Sequence, residues 1–345
     1  MHGGNPLRVM FIGDMHLRIN KFSLALQFLT WINKFIEEQK PDVVVNLGDA
    51  ADTHAIIRSE VLNELMSHIY HVVDLGIPYV YVTGNHDCYT PKDSKYHALL
   101  PFKNRIANLH IVDESQDLFG MTFVPYLANG NDFPKKTQSV CVAHQTFLGA
   151  DYGPINALEG VDANTISAEI IISGHIHKKH NLGKVVYVGS PYSQDASDAN
   201  QIKGISTFDT DTFEFSFTQT PMPTWKSLKF EISSTTSASD VHSLIEQATT
   251  SKFQNDHYLL ELTGPKAEVV AYVESPKYLK LAKDLSIRLK TVFTDKERKM
   301  VSINAVSMEQ ILSEFVSKVY NGNLDKDKVL QKAKEVLEQV KSQGA

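Results

Sequence analysis

The sequence predicts an α/β fold: parallel strands joined by helices in the first half, a β-leaning second half, then a smaller α/β module and terminal helices. Two observations carry this. Five short apolar runs each end in a residue able to bind a hard or borderline metal ion, and stretches of helical spacing separate the first three runs.

The first run, Leu7 to Gly13, is apolar apart from Arg8 and short, as suits a strand covered on both faces, and Asp14-Met15-His16 follows it. From Lys21 to Gln39, Phe22, Leu24, Ala25, Leu26, Phe28, Leu29, Ile32, Phe35 and Ile36 recur at helical spacing. Pro41 then opens the second strand, Val43 to Leu47, which ends in Gly48-Asp49. A helix from about Ile57 to Asp74 leads to the third strand, Ile77 to Val82, and to Gly84-Asn85-His86-Asp87. Parallel strands with crossover helices put their loops at one sheet edge, so these ligands can converge there.

Residues Tyr89 to Arg105 read as an exposed loop with a short helix. Its Lys92, Lys95, His97, Lys103 and Arg105 are either a solvated face or contacts to a substrate phosphate. Short strands are predicted at Leu109 to Val112, Met121 to Val124, Val140 to Ala143, Ile170 to Ser173, Val185 to Val188 and Gly204 to Phe208. His144 closes one of these, and Gly174-His175-Ile176-His177 closes another. Two His on one side of an extended segment have little packing reason to be there. His144 has no flanking motif residue and by itself could be a plain turn histidine.

Between His144 and Glu169 the chain is rich in Asn, Gly and Asp and reads as loop with a short helix. Pro221-Met222-Pro223-Thr224 reads as a linker. Beyond it come a strand at Ser227 to Ile232, a helix from about Ala238 to Thr249, a strand at Tyr258 to Leu262, a helix interrupted at Pro276 and a strand at Ser286 to Phe293. Met308, Ile311, Leu312, Phe315, Val316 and Val319 form one helical apolar stripe. Asn321-Gly322 stops it, and Val329, Leu330, Ala333, Val336, Leu337 and Val340 form another. These stripes must bury against the chain's own module or against a partner.

Composition narrows the function classes. With 345 residues, 42% of them hydrophobic, the chain is of ordinary globular type. It has no apolar run near the roughly 18 residues a membrane-spanning helix needs. Met1 to Pro6 lacks the charged start and apolar centre of a signal peptide, so a cytoplasmic location is expected. Cys88 and Cys141 are too few for a disulfide scaffold or thiolate zinc site. Any metal must be held by His, carboxylate and carboxamide. A net charge of -6 argues against indiscriminate coating of nucleic acid.

Phosphodiester hydrolysis needs charge stabilised on phosphoryl oxygens and a hydroxide at neutral pH, and two cations roughly 3.5 to 4 Å apart supply both. A carboxylate can bridge such a pair, and Asp49, alone at its strand end, is the candidate. Imidazoles mixed with hard oxygens point to manganese, iron or zinc.

The order Asp14-x-His16, Gly48-Asp49, Gly84-Asn85-His86-Asp87, His144, Gly174-His175-x-His177 resembles the calcineurin-like metallophosphoesterase family, with all five blocks present across about half the chain. The resemblance implies a sandwich of two sheets flanked by helices and a two-metal active site, Mn2+ first and Mg2+ as the alternative. Asp14, His16, Asp49 and His177 would hold one metal; Asp49, Asn85, His144 and His175 would hold the other. His86 would protonate the leaving oxygen or steady the phosphate, with Asp87 orienting it. Candidate substrate contacts are His54, Lys92, Lys95 and Lys178. Of these, His54 lies five residues beyond Asp49, with Asp52 nearer, and Lys178-Lys179-His180 is equally a solvated turn.

Lys184 to Tyr192 and Gly204 to Asp209 are similar to the SbcD-type nuclease subunits of DNA-break processing, and most of all to phage recombination endonuclease subunits. That likeness implies a nuclease domain over residues 1–220, a capping domain over 225–300 and a helical docking segment over 305–345. The implied function is a DNA exonuclease or endonuclease in recombination or repair, expected as a homodimer bound to the coiled coil of an ABC-type ATPase. This chain has no Gly-x-x-x-x-Gly-Lys motif, so ATP dependence would come from that other subunit. A small-molecule or protein phosphatase with the same metals is the competing enzyme, and a metal-free interaction scaffold is the third option.

Overall fold

A computed structural model describes residues 6–52, 54, 57–90, 93–153, 155–249, 256–294, 325 and 327–332. In chain order, β1 (Arg8–Ile12), α1 (Phe22–Gln39), β2 (Val43–Asn46), α2 (Ser59–Asp74) and β3 (Tyr79–Val82) form the βαβαβ start. A hairpin, β4 (Cys88–Thr90) with β5 (Asp93–His97), precedes β6 (Leu109–Val112). The series β7 (Gln116–Leu118), β8 (Met121–Val124), β9 (Val140–His144), β10 (Ile170–Gly174), β11 (His180–Leu182) and β12 (Val185–Tyr187) builds a second sheet. The chain then returns to the first sheet through β13 (Gly204–Asp209) and β14 (Phe215–Gln219).

The two six-stranded sheets run in the orders β14-β13-β1-β2-β3-β6 and β11-β12-β10-β9-β8-β7. Strands β1, β2, β3 and β6 are parallel neighbours, as are β8, β9, β10 and β12. Strict alternation explains why the strand sequences are apolar throughout. Val9 and Phe11 of β1 join Val140 and Val142 of β9 in the core between the sheets. Met10 and Ile12 face the helices, where Phe28, Leu29, Ile32 and Ile36 of α1 cover them. Each such large side chain contributes about 1.5–3 kcal/mol by leaving water. Cys141 and Ala143 face a third core beneath the loops after β9.

Residues 89–105 differ from the expected loop and helix. Those described form two paired strands and a short turn at Leu100–Phe102, because Cys88 and His97 are buried and pair across the strands. His97 and Lys103 both turn to Asp113, at 3.3 and 2.5 Å, so neither is a free cation at the site mouth.

The chain divides into two compact units, residues 1–292 and 293–345. The first therefore includes a small sheet of β15 (Trp225–Glu231), β16 (His257–Gly264) and, all but its last residue, β17 (Ser286–Phe293), with α3 (Ala238–Thr249), α4 (Lys266–Val273) and α5 (Pro276–Asp284). This sheet has its own apolar core, including Val241, Ile245, Leu260, Leu262 and Tyr272. Pro276 opens α5, and Ser275 caps it by accepting the Tyr278 amide at 3.2 Å. The expected stripe from Met308 to Val319 lies outside the described residues; of the last expected helix, residues 327–332 are described and four of the six expected stripe residues fall beyond them. Among the described residues no helix is long and apolar enough to cross a membrane.

Candidate metal centre

Five strand ends meet between the two sheets. Asp14 and His16 follow β1, Asp49 follows β2, Asn85 follows β3, His144 ends β9, and His175 and His177 follow β10, where Gly174 pairs with His144 across the ladder. The approach is close enough to require special backbone. A Cβ on Gly84 would lie 2.1 Å from Asp49 Oδ1, and one on Gly48, at φ +103°, would lie 2.5 Å from His144 Nδ1. His16, Asp49 and His175 themselves sit in the left-handed region at φ 45°, 50° and 77°. Non-glycine residues accept that cost at functional sites when the surroundings hold them there.

Asp14 is fully buried; its Oδ1 accepts the His175 amide at 2.8 Å, while its Oδ2 has no hydrogen-bond partner. A buried carboxylate oxygen without a donor is costly unless a cation faces it. His16 Nδ1 donates to Asp52 at 3.2 Å, which leaves Nε2 as a lone pair, and that atom lies 2.9 Å from His177 Nε2. His144 Nδ1 donates to the Leu47 carbonyl at 2.7 Å. Its Nε2 then faces Asp49 Oδ2 at 3.2 Å, Asn85 Oδ1 at 3.1 Å and His175 Nδ1 at 3.2 Å. So many acceptors turned towards one another repel unless positive charge lies among them.

Three overlapping groups have ligand atoms within 4.8 Å of one another: Asp14, His16 and His177; His16, Asp49 and His86; Asp49, His144 and His175. Asp49 is common to two of them, with Oδ2 3.2 Å from His144 and 3.9 Å from His16, while Oδ1 accepts the His86 amide at 2.7 Å. The donor set can therefore bind metal, and the orphaned Asp14 oxygen fits that use.

Burial and neighbouring charges set the protonation of the cluster. Burial lowers His144, but Asp49, Asp14 and the Leu47 carbonyl outweigh it and push the imidazole up to about 9. Against burial, His144, His16 and His86 hold Asp49 well below the usual carboxylate range. Burial raises Asp14, with His144 opposing and Asp49 assisting. Burial, then neighbouring histidines, push His175 and His177 down to about 3, so both are neutral at pH 7, the form a metal binds.

The supporting side chains differ in part from the sequence expectation. Asp87 is not placed to orient the His86 ring. Its Oδ2 accepts the amides of Asp49 and Gly84, both at 2.8 Å, and its Oδ1 accepts the Ala50 amide at 3.1 Å and the Tyr81 hydroxyl at 2.7 Å. Those bonds fix the turn that carries Asp49. Asp52 is the carboxylate beside His86, 3.4 Å from Nδ1, and it also holds His16 and Arg18, the latter at 2.9 Å. His54 stacks on His86 with centroids 4.4 Å apart and its Nδ1 lies 2.9 Å from the Asn85 carbonyl, so it belongs to the cluster's edge. Lys178 pairs with Asp151. Lys92 lies outside the described residues, and Lys95 is on β5.

Sequence reasoning passed over three more residues. Tyr126 stacks on His175 at 5.8 Å. Gln194 donates to the Met15 carbonyl at 3.0 Å, behind the Asp14–His16 loop. Lys203, 2% exposed, donates to the His177 carbonyl and to Asp198, each at 2.7 Å, bracing the His175–His177 loop. Only Asp52, three residues past Asp49, had a sequence signal.

Comparison with known proteins adds to this geometry. The family model for calcineurin-like phosphoesterase matches residues 7–179. The chain is 29% identical over 202 residues to the Putative phosphoesterase 078R of Invertebrate iridescent virus 3, covering 54% of this chain and 58% of that protein. It is 22% identical over 223 residues to Exonuclease subunit 1 of Enterobacteria phage T4, covering 60% and 66%. It is 29% identical over 195 residues to the bovine (Bos taurus) Transmembrane protein with metallophosphoesterase domain, covering 50% and 40%. The match thus spans less than two thirds of each relative's length.

Proposed function

The chain belongs to the calcineurin-like phosphoesterase family, and on that premise we propose that it is a two-metal phosphodiesterase acting on DNA, a nuclease subunit for recombination or repair. The observation that carries the two-metal reading is the place of Asp49 Oδ2 between the His16 and His144 imidazoles, with ligand sets on either side. Asp14, His16, Asp49 and His177 would hold one cation, and Asp49, Asn85, His144 and His175 the other, with Mn2+ the preferred ion. When bound, the cations neutralise phosphoryl charge and make a nucleophile available at neutral pH.

The protein's own groups do the rest. Asp52 orients His16 from behind, which is the usual task of a carboxylate on a metal-binding imidazole. His86 is partly exposed, with Nδ1 buried on the Asp52 side, leaving Nε2 for substrate. Protonated, it can pass a proton to the departing sugar oxygen. Burial, helped by His16 and His54, pushes His86 below the ordinary imidazole value against the pull of Asp49 and Asp52, so the protonated form must be favoured by the substrate's own negative charge.

DNA as substrate is supported by the likeness to a phage exonuclease subunit and by the α/β module after the catalytic sheets. As that relative's name denotes a subunit, we extend the reading to an ABC-type ATPase partner docked through residues 305–345. A small-molecule or protein phosphoester is favoured by a different feature: the net charge of -6 and the pairing of Lys178, Lys103 and His97 with carboxylates. Rates on linear duplex DNA and on an aryl phosphate monoester, both with Mn2+, separate the two. Cleavage of DNA supports the nuclease; turnover of the monoester alone supports the phosphatase.

A further inference from the structure

Beside the histidine cluster lies a groove of about 1200 Å³ that none of the assigned ligands explains. Tyr126, Tyr152, Ile155 and Leu158 are among the residues that line it. Tyr126 is held by its backbone and by its stack on His175, and Tyr152 by its hydroxyl. The Tyr126 amide donates to the Thr83 carbonyl at 2.8 Å, just ahead of the Gly84 turn. Gln145, which follows His144, holds the next residue at both backbone groups: its Oε1 accepts the Leu127 amide and its Nε2 donates to the Leu127 carbonyl, each at 3.1 Å. The Tyr152 hydroxyl is 2.7 Å from Thr146 Oγ1. Yet Tyr152 is 42% exposed, and Ile155 and Leu158 are 69% and 90% exposed.

Held aromatic rings with open faces are what a flat, weakly polar group needs, since stacking costs least when the platform is already fixed. The charged side chains along the groove are Lys135, Glu159 and Asp162, a net acidic set unsuited to tracking a phosphate backbone. The groove is continuous with the catalytic centre through one residue, because Tyr126 stacks on His175 and lines the groove as well.

We propose that this groove receives an unpaired nucleobase adjoining the scissile phosphodiester, stacked on Tyr126 and Tyr152, so that the preferred substrate is a single-stranded or frayed end. The proposal rests on the nuclease reading. Its test compares kcat/KM, with Mn2+, on a single-stranded oligonucleotide and on the same strand made of abasic tetrahydrofuran nucleotides. Wild type should favour the normal strand by about 5- to 150-fold, the range for stacking one base. Tyr152→Ala, remote from the histidines, and Tyr126→Ala should each bring the ratio towards one, and Tyr152→Phe and Tyr126→Phe should keep it. Equal rates on the two strands by wild type, or an unchanged ratio in both alanine variants, overturns the groove assignment while leaving the nuclease intact. An enzyme that cuts neither strand but still cleaves linear duplex DNA overturns the groove assignment alone, and one that cuts no DNA of either kind but still hydrolyses an aryl phosphodiester removes the nuclease reading and the groove with it.

Discussion

Asp87→Asn tests how the metal centre is built more sharply than removal of a ligand would. The carboxylate serves four donors with two oxygens. An asparagine offers one oxygen and one amide. Its best orientation keeps the oxygen on the Asp49 and Gly84 amides and lets the new NH2 donate to the Tyr81 oxygen. The Ala50 amide then faces a donor. An orphaned buried N–H costs about 1–3 kcal/mol, and turning two charge-assisted bonds into neutral ones costs about 1 kcal/mol each. The expected loss is about 3–5 kcal/mol, read by urea denaturation in EDTA so that metal does not mask it. Because the same bonds hold Asp49 at φ 50°, Mn2+ affinity should also fall about 10- to 100-fold by calorimetric titration. A loss under 1 kcal/mol with turnover abolished would refute this and return Asp87 to the role of orienting His86.

Three further outcomes follow from other parts of the molecule. His86→Ala should lower turnover about 10²- to 10⁴-fold with metal content unchanged; equal loss of metal would make His86 a ligand. Lys203→Met strands Asp198 and the His177 carbonyl, and should cost about 3–5 kcal/mol in a denaturation titration, whereas under 1 kcal/mol would show the brace to be dispensable. Burial, then His71, pushes His68 down to about 3, below its unfolded value near 6.5, so the unfolded chain takes up the proton first. Stability from this residue is therefore complete above pH 6.5 and is lost as pH falls towards 3, by about 2 kcal/mol at pH 5. His68→Gln should flatten the fall between pH 7.5 and 5 by that amount, and parallel pH profiles would contradict it.

The strands that carry the centre were legible because each is buried on both faces and so is apolar end to end; β1, β2, β3, β9 and β10 read plainly. The short strands β7 and β11 were not. Their residues, Gln116–Leu118 and His180–Leu182, are polar edge segments whose only reason to extend is the neighbour they pair with. The residues that converge in the candidate centre could be read from the end of each strand. Roles set by convergence across the fold could not: Asp87 closes one motif and Asp52 lies just after another, and only the chain path decides which one meets His86 and which is spent on backbone amides. Lys203 gave no signal at all, since nothing near it in sequence marks the His177 carbonyl as its partner.

Metal stoichiometry bears most directly on the whole reading. Mn2+ titrated into the metal-free protein should bind at two sites per chain, and Asp49→Ala, which removes the oxygen lying between the two imidazole sets, should weaken both together. Binding of no Mn2+ at millimolar concentration, or two sites left untouched by Asp49→Ala, would contradict it.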